Sequence, residues 1–243
     1  MIKVALNGSR NKIDHPNIPI TTAELINSAK ASIVAGANAI HFHVHDFEGN
    51  ETLENSFVRE QVNALKNALP GIPIGISTGE WIEPDIINRI GLIKKWEFIP
   101  DFVSVNGNEA GFDLVIRELI KKGIRIEAGI SSVQAAKNLK DSNLLKHCFR
   151  ILLEPEDQEL TPALNHLESI EKILSDEFAG KSVLLHGYEA TCWDLIYVAK
   201  KKGYDLRVGF EDTLTLPSGI LANNNEELVR ELVEITGGLK INF

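Results

Sequence analysis

Short apolar runs alternate with longer amphipathic stretches along the whole chain, and no linker or low-complexity segment interrupts them. The runs predict β-strands over residues 2–7, 39–45, 74–78, 102–106, 125–130, 150–154, 183–186 and 207–211. Between them the apolar spacing is helical. Thr21 followed by Glu24 has the form of a capping box, and the helix it opens is expected to stop at Gly36. Residues 226–235 carry Leu228, Val229, Leu232 and Val233 as one helical stripe. Strict alternation of strand and helix favours a closed (β/α)8 TIM barrel, read as a single domain over residues 1–243. No GxGxxG follows the first strand, which counts against a doubly wound dinucleotide fold.

A period of two sorts each strand into faces. Val4 and Leu6 oppose Ala5 and Asn7; Phe42 and Val44 oppose His41, His43 and His45; Ile76 opposes Ser77; Val103 and Val105 oppose Ser104 and Asn106. Farther along, Ile126 and Ala128 oppose Glu127, Ile151 and Leu153 oppose Arg150 and Glu154, Leu185 opposes His186, and Val208 and Phe210 oppose Arg207, Gly209 and Glu211. The apolar set must meet the helices, so the polar set points inward. A purely structural barrel fills its interior with branched aliphatics. Here that interior collects histidines, carboxylates, an arginine, amides and hydroxyls. Each one left unpaired would cost about 1–3 kcal/mol. They satisfy one another, hold a metal, or await a ligand.

Composition narrows the partners. Hydrophobic residues at 44% support a large buried core, and no window reaches the roughly 18 apolar residues of a membrane span. The first residues turn polar too soon for a signal peptide and read as a strand. A formal charge of −9, with no basic run longer than Lys200-Lys201-Lys202, argues against nucleic acid as partner but leaves room for an anionic small molecule. Cys148 and Cys192 lack CxxC spacing and are expected as reduced cytoplasmic thiols, Cys148 as packing. Cys192, near a helix start, is a candidate for a lowered pKa.

His41 and His43 stand two apart on one strand, roughly 6–7 Å between Cα atoms, so their rings can meet at one ion; satisfied core histidines are the alternative. Glu211 strengthens the metal reading, because alternate strands of a barrel fill common layers and the second and eighth are both even. Two histidines and a carboxylate with open positions suit catalytic zinc and other first-row divalent ions. His45 shares the expected facing and is a candidate third ligand, base or substrate contact. Asp46 is a candidate carboxylate behind a metal ligand or a loop cap. Glu154 and His186 close their strands where either can orient a ligand, and amides after Gly187 are a candidate seat for a CoA phosphate. Trp81 is expected on a loop over the barrel mouth, covering substrate or packing.

At these residues the chain resembles the β-keto acid cleavage enzymes, the family that includes 3-keto-5-aminohexanoate cleavage enzyme. The matching segments run in order along nearly the whole chain: Ala5-Leu6-Asn7-Gly8, His15-Pro16-Asn17-Ile18-Pro19-Ile20-Thr21, Ala35-Gly36-Ala37, His41-Phe42-His43-Val44-His45-Asp46, Ile76-Ser77-Thr78-Gly79, Val105-Asn106 and Arg207-Val208-Gly209-Phe210-Glu211-Asp212. His-x-His with Arg-x-Gly-x-Glu-Asp is the specific part. The resemblance implies an acyltransferase that condenses a β-keto acid with acetyl-CoA, giving acetoacetate and a new acyl-CoA. It implies Zn2+ on His41, His43 and Glu211, with another divalent first-row metal also compatible with the ligands, and a homo-oligomer. It further implies Arg207 and Asp212 as the proton-transfer unit, an ordinary ion pair being the alternative, with Ser77 as a catalytic contact. Ser104 falls on a hydroxyl position of the family. Ser77 and Asn106 would meet oxygens of substrate or intermediate, with simple hydrogen bonding at the rim as the alternative; Glu127, from its inward facing, is expected to neutralise Arg207 or bond a metal histidine, with a purely structural role as the alternative.

Three departures bear on specificity. Arg10 stands where the aminohexanoate-specific type has a glutamate for its substrate ammonium, so a neutral or anionic substrate is expected. His45 stands where the family has an arginine. Longer relatives carry an extension after the last helix, so oligomer contacts built on it are not carried over to a chain ending at Phe243. Two other functions remain open from sequence: a metal-dependent hydrolase of a small amide or ester on the same barrel, and a non-catalytic metabolite-binding barrel.

Overall fold

Parallel pairing carries the chain once around a ring. The computed structural model describes residues 1–237. Its strands are β1 (Ile2–Ala5), β2 (Ala39–Phe42), β3 (Ile74–Ser77), β4 (Phe102–Asn106), β5 (Arg125–Ile130), β6 (Cys148–Leu153), β7 (Ser182–Leu185) and β8 (Asp205–Val208). Neighbours pair in chain order, and β8 returns to β1 with Arg207 opposite Lys3, closing the barrel. The helices between and after them are α1 (Thr22–Ala35), α2 (Asn55–Ala68), α3 (Ile86–Lys94), α4 (Phe112–Lys121), α5 (Val133–Asp141), α6 (Leu160–Leu174), α7 (Cys192–Lys202) and α8 (Asn225–Thr236). This is the expected (β/α)8 architecture.

Local chemistry sets the helix ends. Thr21 accepts from the Glu24 amide while Glu24 reaches back to the Thr21 amide, and Gly36 closes α1 at φ 122°. Asp85, Ser132 and Asn224 cap α3, α5 and α8 through side-chain oxygens. The alternation of strand faces is as read: Val4, Leu6, Ile40, Phe42, Ile76, Val103, Val105, Ile126, Ile151, Leu153 and Val208 join one apolar cluster under the helices. No described helix is long and apolar enough to cross a membrane. The Lys200–Lys202 triplet lies at the end of α7, where Lys202 pairs with Glu171.

The barrel interior is layered. Phe102 lies across its floor against Gly75, where any side chain would meet the phenyl ring. Beside it Lys3 and Arg150 (Nη1 at 2.8 Å) converge on the two oxygens of Glu127, and the Ser104 hydroxyl donates to Glu127 at 3.1 Å. Burial alone would raise the Glu127 pKa; Lys3 and then Arg150 reverse this and hold it well below the usual carboxylate range. Burial draws Lys3 down to about 8, opposed by Glu127 but helped by Arg207 and Arg150. One carboxylate serves two cations.

Three expectations need correction. The ladders of β1, β2 and β8 stop earlier than the pattern suggests, at Ala5, Phe42 and Val208. At Gly209 the backbone presses on the backbone of Ala5 so closely that no Cβ fits, and the chain leaves the wall there. His45 does not join His41 and His43 in the ligand cluster. It forms an isolated antiparallel bridge with Glu51, and its backbone is gripped by Gln61 of α2, whose Nε2 donates to the His45 carbonyl at 2.7 Å. Its ring Nδ1 lies 2.9 Å from the His43 carbonyl and 3.4 Å from Asn7 Nδ2, apart from the cluster of His41, His43 and Glu211. Cys192 begins α7 as expected, but burial pushes its thiol well above the ordinary range, as burial pushes Cys148 to about 12. Neither is a reactive thiolate.

Candidate metal centre and active site

The C-terminal ends of β2 and β8 bring three ligands together. His41 is the penultimate residue of β2, His43 lies just past it, and Glu211 lies just past β8. His41 Nε2 stands 3.5 Å from Glu211 Oε2, and His43 Nε2 stands 3.7 Å from Glu211 Oε1. One ligand atom from each of the three lies within 4.8 Å of the others. Two ligands at about 2.0–2.1 Å from a tetrahedral ion are themselves about 3.3 Å apart, so the observed spacing suits a shared ion. His41 Nδ1 and Glu211 Oε2 are buried without a hydrogen-bond partner. An orphaned carboxylate oxygen facing the His41 imidazole nitrogen is costly without a cation. The residues fit a divalent metal.

The surroundings fix the ring of His43. Its Nδ1 donates to the carboxylate of Glu51, which in the neutral ring leaves the Nε2 lone pair facing the site. Trp81 Nε1 donates to the same carboxylate at 3.0 Å, and its ring stacks on His43 at 6.0 Å between centroids. Trp81 thus packs against His43, one of the two roles expected for it. Burial disfavours a charged His43, yet Glu211 and Glu51 outweigh it and raise its pKa to about 9. Burial, opposed by Glu211, takes His41 well below its ordinary value. Metal binding must therefore displace a proton from His43. We expect Glu51→Gln to weaken metal binding by about 10–100-fold with the fold intact, as measured by competition with a chromophoric chelator.

Glu51 escaped the sequence reading, which placed a supporting carboxylate at Asp46. Asp46 instead accepts from the amides of Glu48 (2.8 Å) and Asn50 (2.9 Å). It shapes the turn that returns Glu51 to His43. The bland role of Asp46 is the observed one.

Arg207 joins the metal site to a second acid. It reaches Glu211 and also forks onto Asp212, with Nη2 2.8 Å and Nε 3.1 Å from Oδ1. All three side chains are buried or nearly so. Burial would raise both acids. Arg207, His41 and His43 take Glu211 well below the carboxylate range, whereas Asp212 is raised to about 6 by burial and by Glu211, against Arg207. Glu211 keeps the charge and Asp212 is the weaker acid. Behind them His186 lies with Nδ1 3.4 Å from Asp212 and Nε2 3.3 Å from Glu154, whose acid burial lifts to about 8.

The remaining candidates are not all gathered here. Ser77 ends β3, its hydroxyl accepting from the Gly79 amide at 3.2 Å. Asn106 donates to Glu109 at 2.8 Å, and both its Oδ1 and Glu154 flank the bare face of Gly129. Ser104 and Glu127 belong to the layer with Lys3 and Arg150. Glu127 is used up there, so the expected pairing with Arg207 or a metal histidine is not formed. Arg10 lies at the rim and pairs with Glu189. Gly187 is packed against Leu195 and the Thr191 backbone, which accounts for a glycine there.

Fold and site define a TIM-barrel protein with a two-histidine, one-carboxylate centre beside an arginine–aspartate pair. The chain belongs to the beta-keto acid cleavage enzyme family, whose model matches residues 1–242, and it is an enzyme of that kind. It is 23% identical to the 3-keto-5-aminohexanoate cleavage enzyme of Fusobacterium nucleatum subsp. nucleatum, over 97% of this chain and 90% of that one. Over a shorter stretch, 32% of this chain, it is 34% identical to the 3-oxoadipate:acetyl-CoA acetyltransferase of Cupriavidus necator. The apo structure of ObcA shares the fold, with a TM-score of 0.74 at 16% identity over 90% of this chain; the match spans 62% of the ObcA chain.

Proposed function

We propose that this enzyme condenses a β-keto acid with acetyl-CoA. The C2–C3 bond of the keto acid breaks, C2 joins the acetyl group to give acetoacetate, and the remaining acyl group leaves on CoA. The observation that carries this reading is the juxtaposition of His41, His43 and Glu211 with Arg207 and Asp212 at one end of the barrel. The names of its relatives, acting on β-keto acids or with acetyl-CoA, support it.

In this reading the ligand set holds zinc, which when bound supplies Lewis-acid stabilisation of oxyanion charge worth several kcal/mol. The protein's own groups do the rest. Asp212, with a pKa near 6, takes the proton from C2 at neutral pH. Arg207 fixes that carboxylate in place through its two-pronged contact and offsets the charge that develops beside it. Ser77 and Asn106 donate or accept at substrate oxygens near the strand ends, and Trp81 limits water over His43. We place the enzyme in the cytoplasm, as a homo-oligomer, with its thiols reduced.

Incubation with a panel of β-keto acids, read by mass spectrometry of CoA products, tests the reading. Acetoacetate and a new acyl-CoA should form only when both substrates are supplied. Product formed without acetyl-CoA would favour hydrolysis instead. Arg10 is proposed to select against a cationic tail. Arg10→Glu should move the preference in kcat/KM toward β-keto acids with an ammonium group, by about 10-fold or more; an unchanged order across neutral, anionic and cationic substrates would refute that role.

A further inference from the structure

We propose that Glu154 and His186 are positioning residues for proton transfer at Asp212: Glu154 donates its acid proton to His186 Nε2, which fixes the ring in the tautomer whose Nδ1–H points at the Asp212 carboxylate. The inference rests on the β-keto acid reading above, in which Asp212 takes the proton from C2. The strands hold both groups in place. Glu154 follows β6, and its amide donates to the Ile130 carbonyl at 3.1 Å; His186 follows β7, and its amide donates to the Leu153 carbonyl at 3.1 Å. The side chains stand together, with His186 Nε2 3.3 Å from Glu154 Oε2. The Tyr188 hydroxyl donates to the same oxygen at 3.4 Å, and its ring meets His186 edge-on at 4.9 Å between centroids. The other ring nitrogen, Nδ1, lies 3.4 Å from Asp212 Oδ1 and is otherwise buried without a hydrogen-bond partner.

Proton counting decides the tautomer. Burial, and then Arg207, hold the His186 pKa well below its ordinary value, so the ring is neutral, with one N–H and one lone pair. A neutral imidazole between two acids is satisfied on both sides only when one acid carries a proton and the other does not. Arg207 forks onto Asp212 and holds it as the carboxylate. Burial, opposed by Arg207, lifts Glu154 to about 8, so Glu154 keeps its proton at neutral pH. Nδ1–H toward Asp212, with Nε2 accepting from Glu154, meets both demands. The opposite tautomer sets a lone pair against a buried carboxylate, which is costly. At 3.4 Å the contact with Asp212 is long, and catalytic contacts of this kind commonly tighten once substrate is bound. His186 and Arg207 Nη2 (2.8 Å) both fall on Oδ1, while Oδ2 is met by Arg207 Nε at 3.2 Å. The less tightly held Oδ2 is thus the oxygen left to receive the proton.

Two measurements on the zinc-loaded protein test this. Long-range 1H–15N NMR reads the tautomer without turnover, with the His186 signals assigned by their loss in His186→Asn. The wild-type ring should carry its proton on Nδ1, and Glu154→Leu should shift the proton toward Nε2. In steady-state kinetics Glu154→Leu should lower kcat by about 10–100-fold, with KM for the keto acid and zinc content unchanged. A keto acid deuterated at C2 should then show a full primary isotope effect, since proton removal limits turnover. Glu154→Gln, whose amide N–H replaces the acid O–H, should recover most of the loss. His186→Asn, with an amide N–H near the position of Nδ1, should likewise exceed His186→Leu. A wild-type ring protonated on Nε2, a Gln variant no better than Leu, or a fall in kcat without a primary isotope effect overturns the proposal. The expected tautomer, responding to Glu154→Leu in a protein that forms no acyl-CoA, would uphold the contact and refute the condensation alone.

Discussion

Glu127→Ala is expected to destabilise the fold by about 3–5 kcal/mol, because it strands Lys3 and Arg150 as buried cations with no shared counter-charge. Urea denaturation of wild type and variant checks the size. Replacing all three with apolar residues of similar volume should recover most of the loss, since the cost lies in unpaired charge rather than in a lost attraction. The pH dependence carries the same signature. The Glu127 pKa is depressed on folding, so its contribution is fully present above the unfolded value, about 4.3. It is lost as pH falls below that toward the folded pKa. Wild-type stability should therefore decline with acidification below about pH 4.3, and Glu127→Gln should show a shallower decline over that window.

His43→Ala is expected to abolish metal retention and to lower kcat/KM by about a thousandfold or more, the loss that corresponds to several kcal/mol of Lewis-acid stabilisation. Elemental analysis of the purified variant, alongside steady-state kinetics, checks both parts. Asp212→Asn provides the contrast. It removes the proposed proton acceptor but none of the three metal-facing side chains, so metal content should stay at the wild-type level while kcat falls. If both variants lost metal, Asp212 would be holding the site together rather than moving a proton.

Much of this was legible in the chain because a barrel strand is a strict repeat. Wherever the ladder persists, a period of two decides what faces the helices and what faces the interior, and His41, Ser77, Ser104, Glu127 and Arg207 all follow it. His43 and Glu211 keep that direction just beyond the last paired residues. The repeat fails at His45, where a local hairpin bridges to Glu51 and the ring Nδ1 rests by the His43 carbonyl instead of joining the ligand cluster. Glu51 itself carries no spacing signal, since it returns to His43 only through the turn that Asp46 organises. The fate of Glu127 was equally hidden. Facing is a property of one strand, but its partners Lys3 and Arg150 come from β1 and β6, and height in the barrel decided that it meets them rather than Arg207. For Cys192, position at a helix start suggested a lowered pKa, and complete burial reversed the sign.

The most direct test is diffraction from crystals of metal-loaded protein, with data collected on both sides of the metal's absorption edge. One anomalous peak per chain is expected, about 2.0–2.2 Å from the Nε2 atoms of His41 and His43 and from a carboxylate oxygen of Glu211. An active enzyme whose metal lies elsewhere, or whose three side chains point to separate places, would contradict it.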